Sequence, residues 1–143
     1  MINLVSLELI SLILRQTTKL MLSKRLKSFK YAFTGLWDLF RTQPNAQIHL
    51  TLTILAIGLA IFLRISFLEW SILALTIAAV LAAEAFNTAL EYLTDLVSPE
   101  YHPLAGKTKD VAAAGVLCTA FGAMFVAIFI FLPKIIHLLS TIE

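Results

Sequence analysis

Between Val111 and Leu132 the chain places 22 consecutive residues without one Asp, Glu, Lys, Arg or His. Coiled as an α-helix, that run is roughly 33 Å long, enough to cross a hydrocarbon core of roughly 30 Å. Inside lipid the backbone must satisfy its own N–H and C=O groups, so an isolated run of this kind folds as a helix. Composition agrees, with 59% of 143 residues hydrophobic and 14% charged, where soluble domains carry about 25% charged residues. The predicted fold class is an all-α integral membrane protein.

Two further spans are expected, over about 45–65 and about 70–97. The first is apolar from Leu50 to Leu63, only about 21 Å on its own. It therefore starts just after Pro44, which suits a first helical turn, and ends past Arg64, whose long side chain snorkels to the interface. The short Ser66–Glu69 connection makes the second span its antiparallel neighbour. That second span opens at Trp70, an interfacial aromatic, and stops at Ser98-Pro99. Residues 98–110, SPEYHPLAGKTKD, read as an ordered polar loop because of their prolines, glycine and charge. The third span covers about 111–132, with Pro133-Lys134 at its far interface. Cys118, inside that span, reads as a small core residue.

Charge sets the orientation. Seven of the eleven basic residues lie between Arg15 and Arg41, where Asp38 is the sole acid. The positive-inside rule puts this segment on the cytoplasmic side of the membrane, against anionic headgroups, and three crossings put the C-terminus on the opposite side. No aromatic and glycine pattern accompanies the basic run, so nucleic acid is excluded as a partner. The expected organisation is a variable extension over 1–22, either an amphipathic interfacial helix or disordered. A membrane domain follows over 23–135, led by an amphipathic surface helix at about 24–42, and then a tail over 136–143.

The second span carries the chemistry. On a helical wheel Glu84, Asn87, Thr88, Glu91 and Asp95 project at about 0°, 300°, 40°, 340° and 20°, within roughly 100° of arc. An acid in mid-span costs roughly 2.5 to 3.5 kcal/mol on insertion scales and normally has a functional reason. Clustered carboxylates near an aqueous interface suit Mg²⁺ carried by nucleotide phosphate, and a deeper one can deprotonate a hydroxyl. Lys107 and Lys109 add charge able to neutralise phosphate, and Asp110 can fix a lysine or help hold the metal. Phosphoryl transfer from a soluble nucleotide to a membrane-held alcohol fits this pattern. The alternative is a small oligomeric cation transporter or channel subunit, but the polar stripe occupies only one half of the membrane depth.

At these residues the chain resembles a family: the small prokaryotic integral-membrane diacylglycerol kinases and undecaprenol kinases. The resemblance rests on EAFNTALEYLTDLVSPEYHPLAGKTKD, on KSFKYAFTGL before the first span, and on NAQIH at its start. It implies ATP-dependent, Mg²⁺-dependent phosphorylation of a membrane lipid alcohol by a homotrimer whose sites are shared between subunits. By the same likeness Glu84 is the catalytic base and Asn87 its orienting neighbour. Glu91 holds metal bridged to ATP, and Asp95 supports the cytoplasmic mouth. Lys109 and Asp110 match the family's lysine-aspartate pair, Glu100, Tyr101 and His102 its nucleotide-contacting loop, and Lys24 and Tyr31 its surface-helix contacts. One position departs from the pattern. Where the best-described members carry a metal-binding glutamate, this chain has Gln43, whose amide oxygen can ligate Mg²⁺ without adding negative charge. His49 also stands where some relatives have an acid, as a polar helix residue or a substrate contact.

Overall fold

The computed structural model describes the backbone of residues 4–141 and the side chains of residues 15–141. Four helices follow one another: α1 (Leu4–Thr42), α2 (Pro44–Phe62), α3 (Phe67–Val97) and α4 (Pro103–Ser140). The last three are long and apolar enough to cross a membrane. The chain divides into two compact units between Asp38 and Leu39.

In the first unit α1 is already helical from Leu4, so the surface helix expected from about residue 24 continues further toward the N-terminus. Every described side chain from Arg15 to Asp38 is exposed. Leu22, Leu26, Phe29 and Phe33 fall within about 60° of arc, with Lys24 and Lys27 well around the helix from them. That is an amphipathic face. The reading of residues 1–14 as amphipathic concerns side chains outside the described residues.

In the second unit α2, α3 and α4 form an up-down-up bundle, with α3 lying chiefly along α4. Two ion pairs clip this hairpin, Asp95–Lys109 at one end (2.5 Å) and Glu69–Lys134 at the other (3.1 Å). Ala60, Ile65, Leu73, Ile130 and Phe131 form the packed core near the second clip. Outward-facing residues such as Leu55, Phe62, Leu75, Phe86 and Phe129 are exposed and apolar, as lipid contact requires. Cys118 is exposed rather than in the core.

The turn between α2 and α3 is specified in detail. Ile65 N–H bonds the Ala60 carbonyl and Arg64 N–H bonds the Ile61 carbonyl, both at 3.2 Å. Those two bonds make a Schellman closure, in which the residue after the cap takes a left-handed backbone. Here that residue is Arg64, at φ 50°, so its role at the end of the span is to turn the chain as well as to snorkel. Ser66 then opens α3 with a capping box: its hydroxyl accepts from Glu69 N–H, and its own N–H donates to the Glu69 carboxylate at 2.6 Å.

One expectation about α4 is corrected and another extended. The polar stretch 98–110 is a loop only as far as His102. Pro103 supplies a first helical position that lacks an N–H to lose, and His102 Nδ1 accepts from Leu104 N–H at 3.2 Å. Lys107, Lys109 and Asp110 therefore ride on the opening turns of α4. At the far end the helix passes through Pro133 to Ser140. Proline removes one hydrogen bond, a cost that a long helix leaving the hydrocarbon core can absorb. With 38 residues, α4 is about 57 Å long and outreaches the core at both ends.

Candidate active site

The expected polar stripe is real, and its burial is graded along α3. Glu84 is 2% exposed, Asn87 7% and Thr88 6%. Glu91 is half-buried and Asp95 exposed. The helix period produces this: residues spaced three and four apart share a face, and the deepest of them meet the neighbouring helices. A single chain buries the inner three, so only Glu91 and Asp95 still lack cover.

Two polar atoms in this stripe are buried without a hydrogen-bond partner, Glu84 Oε2 and Asn87 Oδ1. Leaving such groups unpaired costs of order 1–3 kcal/mol each, so natural structures rarely keep them without a use. The other end of the Asn87 amide is engaged, its Nδ2 donating to Glu91 Oε1 at 2.9 Å. Asn87 is thereby oriented, with its carbonyl oxygen left over. Electrostatically Glu84 feels His49 on α2 and Glu91 on its own helix. Of the two roles open to His49, polar helix residue or substrate contact, its electrostatic influence on Glu84 favours a place near the site.

Toward the membrane surface the stripe ends in the Asp95–Lys109 pair, with side chains 64% and 38% exposed respectively. Asp95, rather than Asp110, holds the lysine. Adjacent residues on a helix diverge by about 100°, and Asp110 is exposed around the corner from the pair. An exposed pair is worth about 1 kcal/mol or less, so a phosphate can exchange with its carboxylate. A cavity of about 220 Å³ is lined here by Asp95, Glu100, Tyr101, His102 and Lys109. A second groove of about 740 Å³ runs between α3 and α4, largely apolar, with Asn87, Lys107 and Thr108 as its polar groups.

Gln43 is half-buried at the N-terminal boundary of α2, and its side chain makes no capping bond. Its neighbour Thr42 meets the Tyr92 hydroxyl at 3.2 Å, which brings the start of α2 beside the Glu91 segment of α3. Lys24 and Tyr31 lie on the exposed stretch of α1 in the first unit.

Among the described residues no three His, Cys, Asp or Glu side chains gather as a metal cage. Mg²⁺ that arrives on nucleotide needs only one or two protein carboxylates, the rest of its shell being phosphate and water. A half-buried Glu91, steered by the Asn87 amide, fits that smaller demand.

A helical membrane bundle with a one-sided acidic stripe and a lysine at its mouth fits a lipid-modifying enzyme better than a full-depth ion path. Comparison with known proteins makes the class specific. Residues 30–131 match the prokaryotic diacylglycerol kinase family, and the chain belongs to that family of lipid kinases. It is similar to the undecaprenol kinase of Bacillus subtilis (strain 168), 35% identical over 114 residues that cover 80% of this chain and 93% of that protein. It is also similar to the diacylglycerol kinase of Synechocystis, 39% identical over 115 residues, 80% of this chain and 66% of that protein. A diacylglycerol kinase of Helicobacter pylori is 35% identical over 95 residues, 66% of this chain and 74% of that protein. Family membership sets aside the transporter alternative.

Proposed function

We propose that the protein transfers the γ-phosphoryl group of ATP to the hydroxyl of a membrane lipid alcohol, either diacylglycerol or undecaprenol. The observation that carries this reading is the buried, unpartnered Glu84 oxygen on the same helix face as the Asn87–Glu91 bond and the Asp95–Lys109 pair. Glu84 accepts the hydroxyl proton while the lipid oxygen bonds to the γ-phosphorus and ADP leaves with the old bridging oxygen. Asn87 fixes the direction of Glu91, and its carbonyl oxygen is left free to accept from another donor on the bound substrates.

Glu91 and Gln43 would hold Mg²⁺, which supplies charge neutralisation on the phosphates. Lys109 exchanges Asp95 for phosphate, with Asp110 beside it, and Glu100, Tyr101 and His102 line the nucleotide mouth. The apolar groove beside Asn87 and Lys107 suits a lipid chain whose head lies toward the lysine. Three copies assemble as a homotrimer, a neighbour covering Glu91 and Asp95. The basic N-terminal segment faces the cytoplasm of the inner membrane, and the C-terminus lies on the opposite side.

The test supplies purified protein with Mg²⁺ and labelled ATP and offers diacylglycerol and undecaprenol separately. Label entering one lipid and not the other identifies the acceptor. Label entering neither rejects the reading.

A further inference from the structure

The end of the bundle away from Glu84 carries a groove that the kinase chemistry does not use. It encloses about 730 Å³ where α2 ends beside the last turns of α4, with Arg64, Lys134 and His137 next to Phe62, Leu63 and Leu138. Cationic and donor groups thus border an apolar wall, the layout that a lipid headgroup and its first methylenes present in mirror image. The acid at this end is already engaged: the Glu69 carboxylate accepts from Ser66 N–H at 2.6 Å and from Lys134 at 3.1 Å. Among the described residues Arg64 and His137 form no ion pair.

Arg64 adds a second, independent observation. It holds the left-handed position of the Schellman turn, φ 50°, where glycine would avoid the steric cost. The turn's hydrogen bonds are all backbone, so folding does not ask for arginine there. Retained strain of this kind points toward a use for the side chain. In the orientation proposed above, this end also faces away from the cytoplasm, where Lys and Arg are depleted.

We propose that this groove binds the phosphate of an anionic membrane phospholipid, at the opposite end of the spans from the kinase site. Arg64 and His137 meet the phosphate oxygens, Phe62 and Leu138 lie along the chains, and Lys134, shared with Glu69, adds positive field. The occupant is a lipid rather than a free anion because half of the groove is apolar.

Native mass spectrometry of the full-length protein in detergent tests this, with phosphatidylglycerol, phosphatidylcholine and inorganic phosphate as probes. Arg64→Gly keeps the turn while removing the guanidinium. Combined with His137→Gln it should weaken phosphatidylglycerol retention about fivefold or more, a factor set by the worth of one basic group at a membrane surface. Phosphatidylcholine retention stays unchanged, and Arg64→Lys keeps most of the binding. The melting temperature of Arg64→Gly stays level or rises, which separates lost binding from lost folding. Should it fall instead, His137→Gln alone decides, since it leaves the turn untouched. Unchanged phosphatidylglycerol retention in the deciding variant, or an equal loss of both lipids, overturns the proposal. Competition by inorganic phosphate as strong as by phosphatidylglycerol assigns a soluble anion and overturns it too.

Discussion

Around Glu69 the bundle satisfies its polar groups; around Glu84 it leaves two of them unsatisfied. The Glu69 carboxylate takes a backbone N–H and a lysine ammonium, and it sits beside the core of Ala60, Ile65, Leu73, Ile130 and Phe131. At the other end Glu84 Oε2 and Asn87 Oδ1 are buried without partners, and the clip that closes the hairpin is an exposed pair. Both ends belong to the same three helices and meet the same lipid, so the environment does not explain the contrast. One end holds the bundle together and the other carries the energetic cost of a site. Helix packing in lipid draws on close contact and hydrogen bonding rather than on hydrophobic burial, which makes the concentration of packing at one end matter more than it would in water.

The largest expected effect breaks the site end alone. Glu84→Gln keeps the volume and removes the basicity, so turnover with the lipid acceptor should fall about 10²- to 10⁴-fold. Its melting temperature in detergent should hold or rise, because a neutral amide is cheaper to bury than a carboxylate. Near-normal turnover would reject Glu84 as the base and, with it, the division of labour. The converse substitution is Phe131→Ala, in the packed end. It should destabilise the folded chain by about 2–3 kcal/mol, below the range usual for aqueous cores because lipid also solvates the exposed ring. Denaturant titration in mixed micelles measures this, while KM and kcat of the remaining folded enzyme stay close to those of the parent. A loss of kcat without a loss of stability would show that the two ends are not separable.

What could be read from the residue order follows the same divide. The spans, the acidic stripe and its grading from Asp95 to Glu84 all come from a single helix's period, which is local information. Family resemblance through EAFNTALEYLTDLV was equally legible, because it lies in one contiguous segment. The missed features are relations between segments. His49 acting on Glu84 and Asp95 taking Lys109 join different helices. The helical start at Pro103 was hidden because Pro, Gly106 and charge are loop signals when counted and helix-opening signals when placed. Arg64 is the sharpest case: the turn it makes is ordinary, but the expected marker, glycine, is not there.

The smallest effect sharpens the comparison by adding charge where the site end lacks it. Gln43 is the residue before α2, half-buried, with a side chain that the helix start leaves unused. Through the Thr42–Tyr92 contact it stands beside the segment bearing Glu91. In Gln43→Glu a second carboxylate joins Glu91, and the positive end of the α2 dipole favours that charge by about 0.3–1 kcal/mol. Folding should therefore be unharmed. Metal affinity in oxygen sites rises with ligand charge, so the Mg²⁺ concentration giving half-maximal transfer should drop about tenfold while kcat at saturating Mg²⁺ changes little. A titration of activity against Mg²⁺ at fixed ATP reads both quantities. If the half-maximal concentration does not move, Gln43 lies outside the metal shell, and Glu91 alone anchors the metal. The site end would then be even poorer in fixed charge, relative to the paired groups around Glu69, than the position of Gln43 suggests.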